Sequence, residues 1–94
     1  MLEKRIEKYL VDQVKKAGGR AYKFSSPANR GVSDRIVLLS GRIWFVELKT
    51  LGGKQSPLQK VFQAEVESLG FEYVLLWTKE QVDAFVARVP GKRC

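Results

Sequence analysis

The chain has 94 residues, a formal net charge of +7 and a hydrophobic fraction of 45%, which suit one globular domain over residues 1–94. The absence of histidine excludes Ser-His-Asp and Cys-His catalysis, and a lone Cys94 excludes a disulfide framework or a zinc cluster. No apolar segment approaches the roughly 20 residues that cross a bilayer. Because Met1 leads directly into a charged segment without a signal peptide, we expect a cytoplasmic location.

The positive charge is concentrated in the first two thirds of the chain. Residues 1–60 hold 13 Lys/Arg against 5 Asp/Glu, whereas residues 61–94 hold 4 against 5. This pattern is expected if a polyanion approaches the N-terminal part of the fold. A solvated basic surface without such a partner is the equally weighted alternative.

The predicted elements follow the order α-β-β-β-α-β-α. Apolar residues at three- and four-residue spacing predict the helices, and runs rich in β-branched and aromatic residues predict the strands. Ser56 is predicted as the N-cap of the second helix, with Pro57 at its first position. The inner face of that helix is predicted to carry Leu58, Phe62, Val66 and Leu69. The predicted helices span 2–17, 57–69 and 79–88, and the strands span 20–24, 34–39, 42–49 and 72–77.

These elements predict an α/β fold in which helices flank a mixed four-stranded sheet. The last strand arrives through a helix, so we expect it to pair in parallel with the sheet core. Its nearly continuous apolar run, Val74-Leu75-Leu76, predicts a central and buried position. Residues 88–94 are predicted to form a flexible tail.

The hairpin between the second and third strands has a register that the sequence predicts. Only Ser40-Gly41 separates the strands, so Leu39 should face Arg42 and Asp34 should face Glu47. Directly opposed Cβ atoms lie about 4.5–5.5 Å apart, at which distance two carboxylates repel. A shared cation would neutralise them.

These residues have the chemistry of a divalent-metal site that cuts phosphodiesters. Asp34 and Glu47 would bind Mg²⁺ or Mn²⁺, and the backbone carbonyl of Leu48 could add a ligand. Lys49 lies on the same side of the strand as Glu47 and could position the attacking water or stabilise the charge that develops on the phosphate. The alternative is a surface pair of Glu47 and Lys49, with Asp34 merely beginning a strand.

Two further positions have an open interpretation on the residues alone. The helical phase of the first helix turns Glu3 inward and Glu7 toward water, but Glu3 could equally complement the helix N-terminus. Gln59, in the first turn of the second helix, could bind a phosphate or a metal-bound water, or could be exposed filler. Five basic residues flank the predicted site and could contact phosphates or be solvated charge: Lys23, Arg30, Arg35, Lys54 and Lys60.

Three segments together resemble the virus-type replication-repair nuclease (VRR-NUC) domain, a branch of the PD-(D/E)xK nuclease superfamily. They are residues 23–35 (KFSSPANRGVSDR), residues 45–49 (FVELK) and residues 56–59 (SPLQ). The resemblance covers nearly the whole chain and implies a restriction-endonuclease-like core. Small stand-alone members of the family, which consist of little more than this domain, are found in phages and bacteria. These resemble Holliday-junction resolvases, form homodimers and cut branched DNA with Mg²⁺ or Mn²⁺.

Carried over residue by residue, the resemblance implies a catalytic set of Glu3, Asp34, Glu47, Lys49 and Gln59. The chain departs from the usual family pattern in having Ser33 where Pro commonly precedes the aspartate, and Ala28 where Gly is common. Proline is not a ligand, so its replacement removes rigidity at the strand start and not a catalytic group.

The sequence therefore predicts a metal-dependent, structure-selective endodeoxyribonuclease that acts on four-way junctions as a homodimer, in a bacterial or phage-infected cell. A two-fold dimer suits a junction with two equivalent scissile strands. The main alternative is a non-catalytic, structure-specific DNA-binding module on the same fold, and a second is a small basic RNA-associated protein.

Overall fold

The computed structural model describes residues 3–25, 33–50 and 52–88. Its elements are α1 (Glu3–Lys16), β1 (Arg20–Lys23), β2 (Arg35–Leu39), β3 (Arg42–Leu48), α2 (Pro57–Ser68), β4 (Glu72–Leu76) and α3 (Lys79–Arg88). The predicted α/β class and the order α-β-β-β-α-β-α are confirmed, and no element end differs from its predicted position by more than one residue. Residues 89–94, most of the predicted tail, lie outside the described residues.

The four strands form one mixed sheet in the order β1-β2-β3-β4. β1 and β3 each pair antiparallel with β2, and β4 pairs in parallel with β3, as predicted. Leu39 faces Arg42, and the predicted register continues to Arg35 and Val46. The predicted central position of β4 is wrong. The hairpin places β2 on one side of β3 and the crossover through α2 places β4 on the other side, so β4 is an edge strand.

One face of the sheet, packed against α1 and α3, carries the main core. The helices contribute Ile6, Leu10 and Val14 from α1 and Val82 and Phe85 from α3, all of them buried. They meet side chains that alternate on the strands, because successive residues of a strand point to opposite faces. Those strand residues are Val37, Leu39, Trp44, Val46, Leu48 and Leu76. This packing fixes the backbone of β3 up to Leu48, where the site begins.

The opposite face is covered by α2 and is held by aromatic contacts. Phe62 of α2 packs edge-on against Phe45 and Tyr73, with ring centroids 5.8 Å and 6.1 Å apart. The predicted inner face of this helix is wrong in part, since Leu58 is 57% exposed and Leu69 is 68% exposed. Relative to the predicted orientation, α2 is rotated about its axis so that Gln63 turns toward the sheet, where it accepts a hydrogen bond from Gln55. The same rotation moves both leucines away from the surface that packs on the sheet.

Hydroxyl caps begin the two C-terminal helices. Ser56 accepts a hydrogen bond from the N–H of Gln59, and the Gln59 side chain accepts one from the N–H of Ser56. Thr78 and Gln81 form the same reciprocal arrangement at α3. Such caps satisfy backbone donors that the first helical turn leaves unpaired. The predicted N-cap role of Ser56 is confirmed. In the described residues no helix is long and apolar enough to span a membrane.

Candidate active site

Asp34 lies immediately before β2 and is held against the end of β3. Its N–H donates to the carbonyl of Val46 at 3.1 Å, and its carboxylate Oδ2 accepts from the N–H of Leu48 at 2.7 Å. Regular pairing stops at Arg35, so Asp34 is not part of β2. The predicted strand 34–39 included it and was one residue too long at this end. The aspartate is held to β3 by both its backbone N–H and its side chain.

The environment of Asp34 disfavours its negative charge. Burial raises the pKa of its carboxyl, and the carboxylates of Glu47 and Glu7 raise that pKa further. The hydrogen bond from Leu48 and the charge of Lys49 act in the opposite direction. A carboxyl with these neighbours gains most from a cation, because a cation removes both the desolvation penalty and the repulsion.

Glu47 is fully buried, and its two carboxylate oxygens have different surroundings. Oε1 accepts hydrogen bonds from the Tyr73 hydroxyl and from Nε2 of Gln55, the latter at 3.2 Å. Oε2 is buried without a hydrogen-bond partner, although the ammonium of Lys49 lies 3.2 Å away at ion-pair distance. The ion pair with Lys49 offsets part of the cost of burying this charged oxygen, and a hydrogen-bond donor or a cation bound to it would lower that cost further.

The backbone at the end of β3, at Leu48 and Lys49, is also oriented toward the site. The N–H of Lys49 donates to the carbonyl of Leu76 on β4, which keeps β3 extended to its end. In extended backbone the N–H and C=O of one residue point to the same side of the strand. The Leu48 carbonyl therefore points to the side on which Leu48 binds Asp34.

This donor set fits a hard divalent cation. Mg²⁺ is commonly held by one or two carboxylates and several waters, and a backbone carbonyl is a further suitable ligand. Asp34 and Glu47 supply the carboxylates, with one buried oxygen of Glu47 lacking a hydrogen bond. Within residues 3–25, 33–50 and 52–88 no group of three or more Asp, Glu, His or Cys side chains forms a metal cluster. The described site is thus a two-carboxylate site.

One relative and one solved structure identify the family of the chain, although the chain matches no family model. It is 49% identical over 75 residues to "Putative nuclease p44" of Acyrthosiphon pisum secondary endosymbiont phage 1, covering 79% of this chain and 81% of the relative. It also superposes on a solved VRR_NUC domain with a TM-score of 0.85 and 29% identity, over 94% of this chain and 97% of that structure. The chain belongs to the VRR-NUC family.

Of the predicted site residues of this VRR-NUC domain, Gln59 is engaged in a helix cap and Glu3 has a side chain that is not described. The side chain of Glu3, at the first position of α1, lies outside the described residues. Gln59 uses its side-chain oxygen to cap α2. The glutamine that contacts Glu47 is Gln55, which precedes the N-cap and which the sequence did not single out.

The predicted phosphate contacts of the VRR-NUC domain have different outcomes. Lys23, Lys54 and Lys60 are exposed. Arg35 instead donates to Glu7 at 2.7 Å and to the carbonyl of Ala21 at 3.0 Å, with its side chain 18% exposed. The prediction that Glu7 faces water is wrong, because α1 turns it toward the sheet to meet Arg35. Arg30 lies outside the described residues.

Tyr73 is the second residue of the site that the sequence did not reveal. It lies on β4 beside Phe45, and Phe45 is two residues before Glu47 and so on the same face of the sheet. Its position depends on the parallel register of β4 against β3. No turn or cap in the sequence specifies that register, because the two strands are joined through a helix.

Proposed function

We propose that this VRR-NUC nuclease is a metal-dependent endodeoxyribonuclease in which Asp34 and Glu47 hold Mg²⁺ or Mn²⁺. The observation that carries the proposal is the buried Oε2 of Glu47, which has no hydrogen bond and lies 3.2 Å from the Lys49 ammonium. The name of the phage relative and the VRR_NUC structure support the nuclease class. The carboxylate pair supports the metal requirement.

Each residue has a separate task in the proposed reaction. When bound, a divalent cation supplies Lewis acidity at the scissile phosphate and lowers the pKa of a coordinated water. Asp34, fixed by the Leu48 N–H, and Glu47, fixed at Oε1, would each offer the remaining carboxylate oxygen to the cation. Lys49, whose ammonium lies 3.2 Å from Oε2 of Glu47, would donate to a phosphate oxygen as negative charge develops on it.

DNA is the proposed substrate, and branched DNA with a four-way junction is the proposed preference. The excess of Lys and Arg in residues 1–60 supports a polyanionic partner, since this segment carries the site. The exposed Lys23, Lys54 and Lys60 would supply positive charge for backbone phosphates. The preference for branched substrates follows from the resemblance to junction-cutting relatives, and the proposed place of action is the cytoplasm of a bacterial or phage-infected cell.

A homodimer is part of the proposal, and one apolar surface supports it. The exposed Leu38 and Ile43 are paired across the hairpin, and the exposed Phe71 packs on Phe45, two residues after Ile43. Leu58 and Val61 of α2 and Leu69 at its C-cap are also exposed. Exposed apolar side chains that form a contiguous patch are typical of protein interfaces.

Sedimentation or light scattering tests the dimer. Val61→Glu places a charge on the exposed side of α2 and is expected to convert dimers to monomers without loss of helical signal. The matched control is Ala87→Glu on the exposed side of α3, which should leave the dimer intact. A wild-type protein that is monomeric at all concentrations would remove dimerisation from the proposal.

Cleavage assays test the chemistry. Labelled four-way, flap and linear DNA are incubated with Mg²⁺, Mn²⁺ or EDTA, and the products are sized. Asp34→Ala and Glu47→Ala should reduce cutting to background while junction binding persists, and the exposed Asp12→Ala should cut like the wild type. Metal-dependent cutting that survives in both site variants would refute the site. Junction binding without cutting at any metal concentration would favour a binding module, and preference for structured RNA would favour the RNA-associated alternative.

A further inference from the structure

The carboxylate of Glu47 is held asymmetrically, by groups on two elements outside the predicted catalytic set. The Tyr73 hydroxyl, from β4, and the Gln55 amide, from the segment before α2, both donate to Oε1. Neither donates to Oε2, which is equally buried. A carboxylate rotating freely would present its oxygens equally, so these two donors decide which oxygen is left for another ligand.

The Gln55 amide is oriented by a chain of hydrogen bonds along α2. Gln63 donates through Nε2 to the Glu67 carboxylate at 3.1 Å, and its own carbonyl accepts from Nε2 of Gln55 at 2.9 Å. Ionised carboxylates accept hydrogen bonds and do not donate them. Because Glu67 and Glu47 lie at the two ends of the chain, both amides are fixed with their nitrogens pointing toward the carboxylates. Gln55 can therefore act only as a donor to Glu47.

Tyr73 is fixed as a donor in a similar way. Its ring is buried and packs edge-on against Phe62, with centroids 6.1 Å apart. Burial raises the pKa of the Tyr73 phenol well above its usual range, and the hydrogen bond to Glu47 raises it further. An ionised carboxylate only accepts hydrogen bonds, so the Tyr73 hydroxyl is the donor to Oε1 of Glu47.

We propose that Tyr73 and Gln55 are positioning residues that occupy Oε1 of Glu47 and so leave Oε2 as the single oxygen that binds the divalent cation. This inference rests on the proposed function and specifies how Glu47 serves it. Partners of this kind, which hold a metal ligand from behind, commonly change metal affinity by about 10–100-fold when they are removed. Without them the carboxylate would rotate, and Lys49 could form a closed pair with either oxygen.

Direct Mn²⁺ binding tests the inference, measured by electron paramagnetic resonance on the full chain without DNA. Tyr73→Phe removes only the hydroxyl and should weaken Mn²⁺ binding about tenfold. Gln55→Leu, a change in a segment outside any helix or strand, should have an effect in the same direction. The matched control is Tyr9→Phe, because the Tyr9 hydroxyl donates to the Asp83 carboxylate at 2.6 Å away from the site. This control should bind Mn²⁺ like the wild type.

Cleavage as a function of metal concentration separates positioning from a general loss of structure. In Tyr73→Phe the half-saturating Mn²⁺ concentration should rise about tenfold, and the maximal rate should return to near the wild-type value at saturating metal. A merely structural role would lower the melting temperature in EDTA without changing metal affinity. If Tyr73→Phe does not fold, Gln55→Leu decides the question alone.

The outcomes distinguish this inference from the proposed function. If the wild type binds Mn²⁺ and cuts, Glu47→Ala does neither, and the folded Tyr73→Phe and Gln55→Leu variants bind Mn²⁺ like the wild type, only the positioning inference is wrong. An equal loss of affinity in Tyr9→Phe would also overturn it. If the wild type neither binds Mn²⁺ nor cuts, the proposed function falls, and the positioning inference falls with it.

Discussion

The ion pair between Glu7 and Arg35 should contribute measurably to stability, although the sequence predicted that Glu7 faces water. The Arg35 Nε lies 2.7 Å from Glu7 Oε2, and the two side chains are only 18% and 19% exposed. Hydrogen bonds to charged groups contribute about 1.5–3 kcal/mol, whereas exposed ion pairs contribute about 0.2–1 kcal/mol. With most of both side chains removed from water, we expect a coupling energy of about 1.5–2 kcal/mol.

A double-mutant cycle measures this coupling by urea unfolding, followed by circular dichroism. Its four proteins are the wild type, Glu7→Gln, Arg35→Met and the double variant, and the cycle also subtracts the weaker contact of Glu7 with Lys23 at 3.7 Å. A loss of about 2 kcal/mol corresponds to a fall of about 8–16 °C in the melting temperature of a domain of this size. The midpoint shift should therefore be easy to resolve.

The exposed pair of Lys8 and Asp12 provides the control for the cycle. Its atoms are 3.3 Å apart on one face of α1, but its side chains are 79% and 49% exposed. Its coupling should be about 0.3–0.5 kcal/mol. A Glu7–Arg35 coupling no larger than this control would refute the argument from burial.

Three further predictions concern catalysis, packing and pH. Lys49→Met should reduce the cleavage rate by about 10²–10³-fold, while junction binding in a gel-shift assay stays unchanged. A comparable loss of cleavage and of junction binding would contradict a catalytic role. Gly19→Ala should destabilise the fold by about 2–3 kcal/mol in urea, because its Cβ would meet the Leu38 carbonyl oxygen; an unchanged midpoint would show that this contact relaxes. The hydrogen bond to Asp83 raises the pKa of Tyr9 above its usual value near 10. Its stabilisation is therefore present below pH 10 and lost as pH rises through the folded pKa, so melting temperatures of the wild type and Tyr9→Phe should converge above pH 10.

Much of the fold and the centre of the site could be predicted from the sequence, because the responsible signals are local. Ser40-Gly41 allows only a tight hairpin, which defined the register from Leu39 and Arg42 to Arg35 and Val46. The Ser56 cap is likewise contained in four consecutive residues. Asp34, Glu47 and Lys49 are close in sequence and lie on or next to this hairpin, so the cluster could be identified before any packing was known.

Only the tertiary structure decided how the rest of the chain surrounds that cluster. The rotation of α2 determines that Gln63 and Gln55 turn toward Glu47 while Leu58 is exposed, and helical spacing alone does not specify this rotation. The parallel register of β4 places Tyr73 beside the same carboxylate. In each case the energy comes from contacts between segments distant in sequence, whereas turns, caps and alternation depend on neighbouring residues.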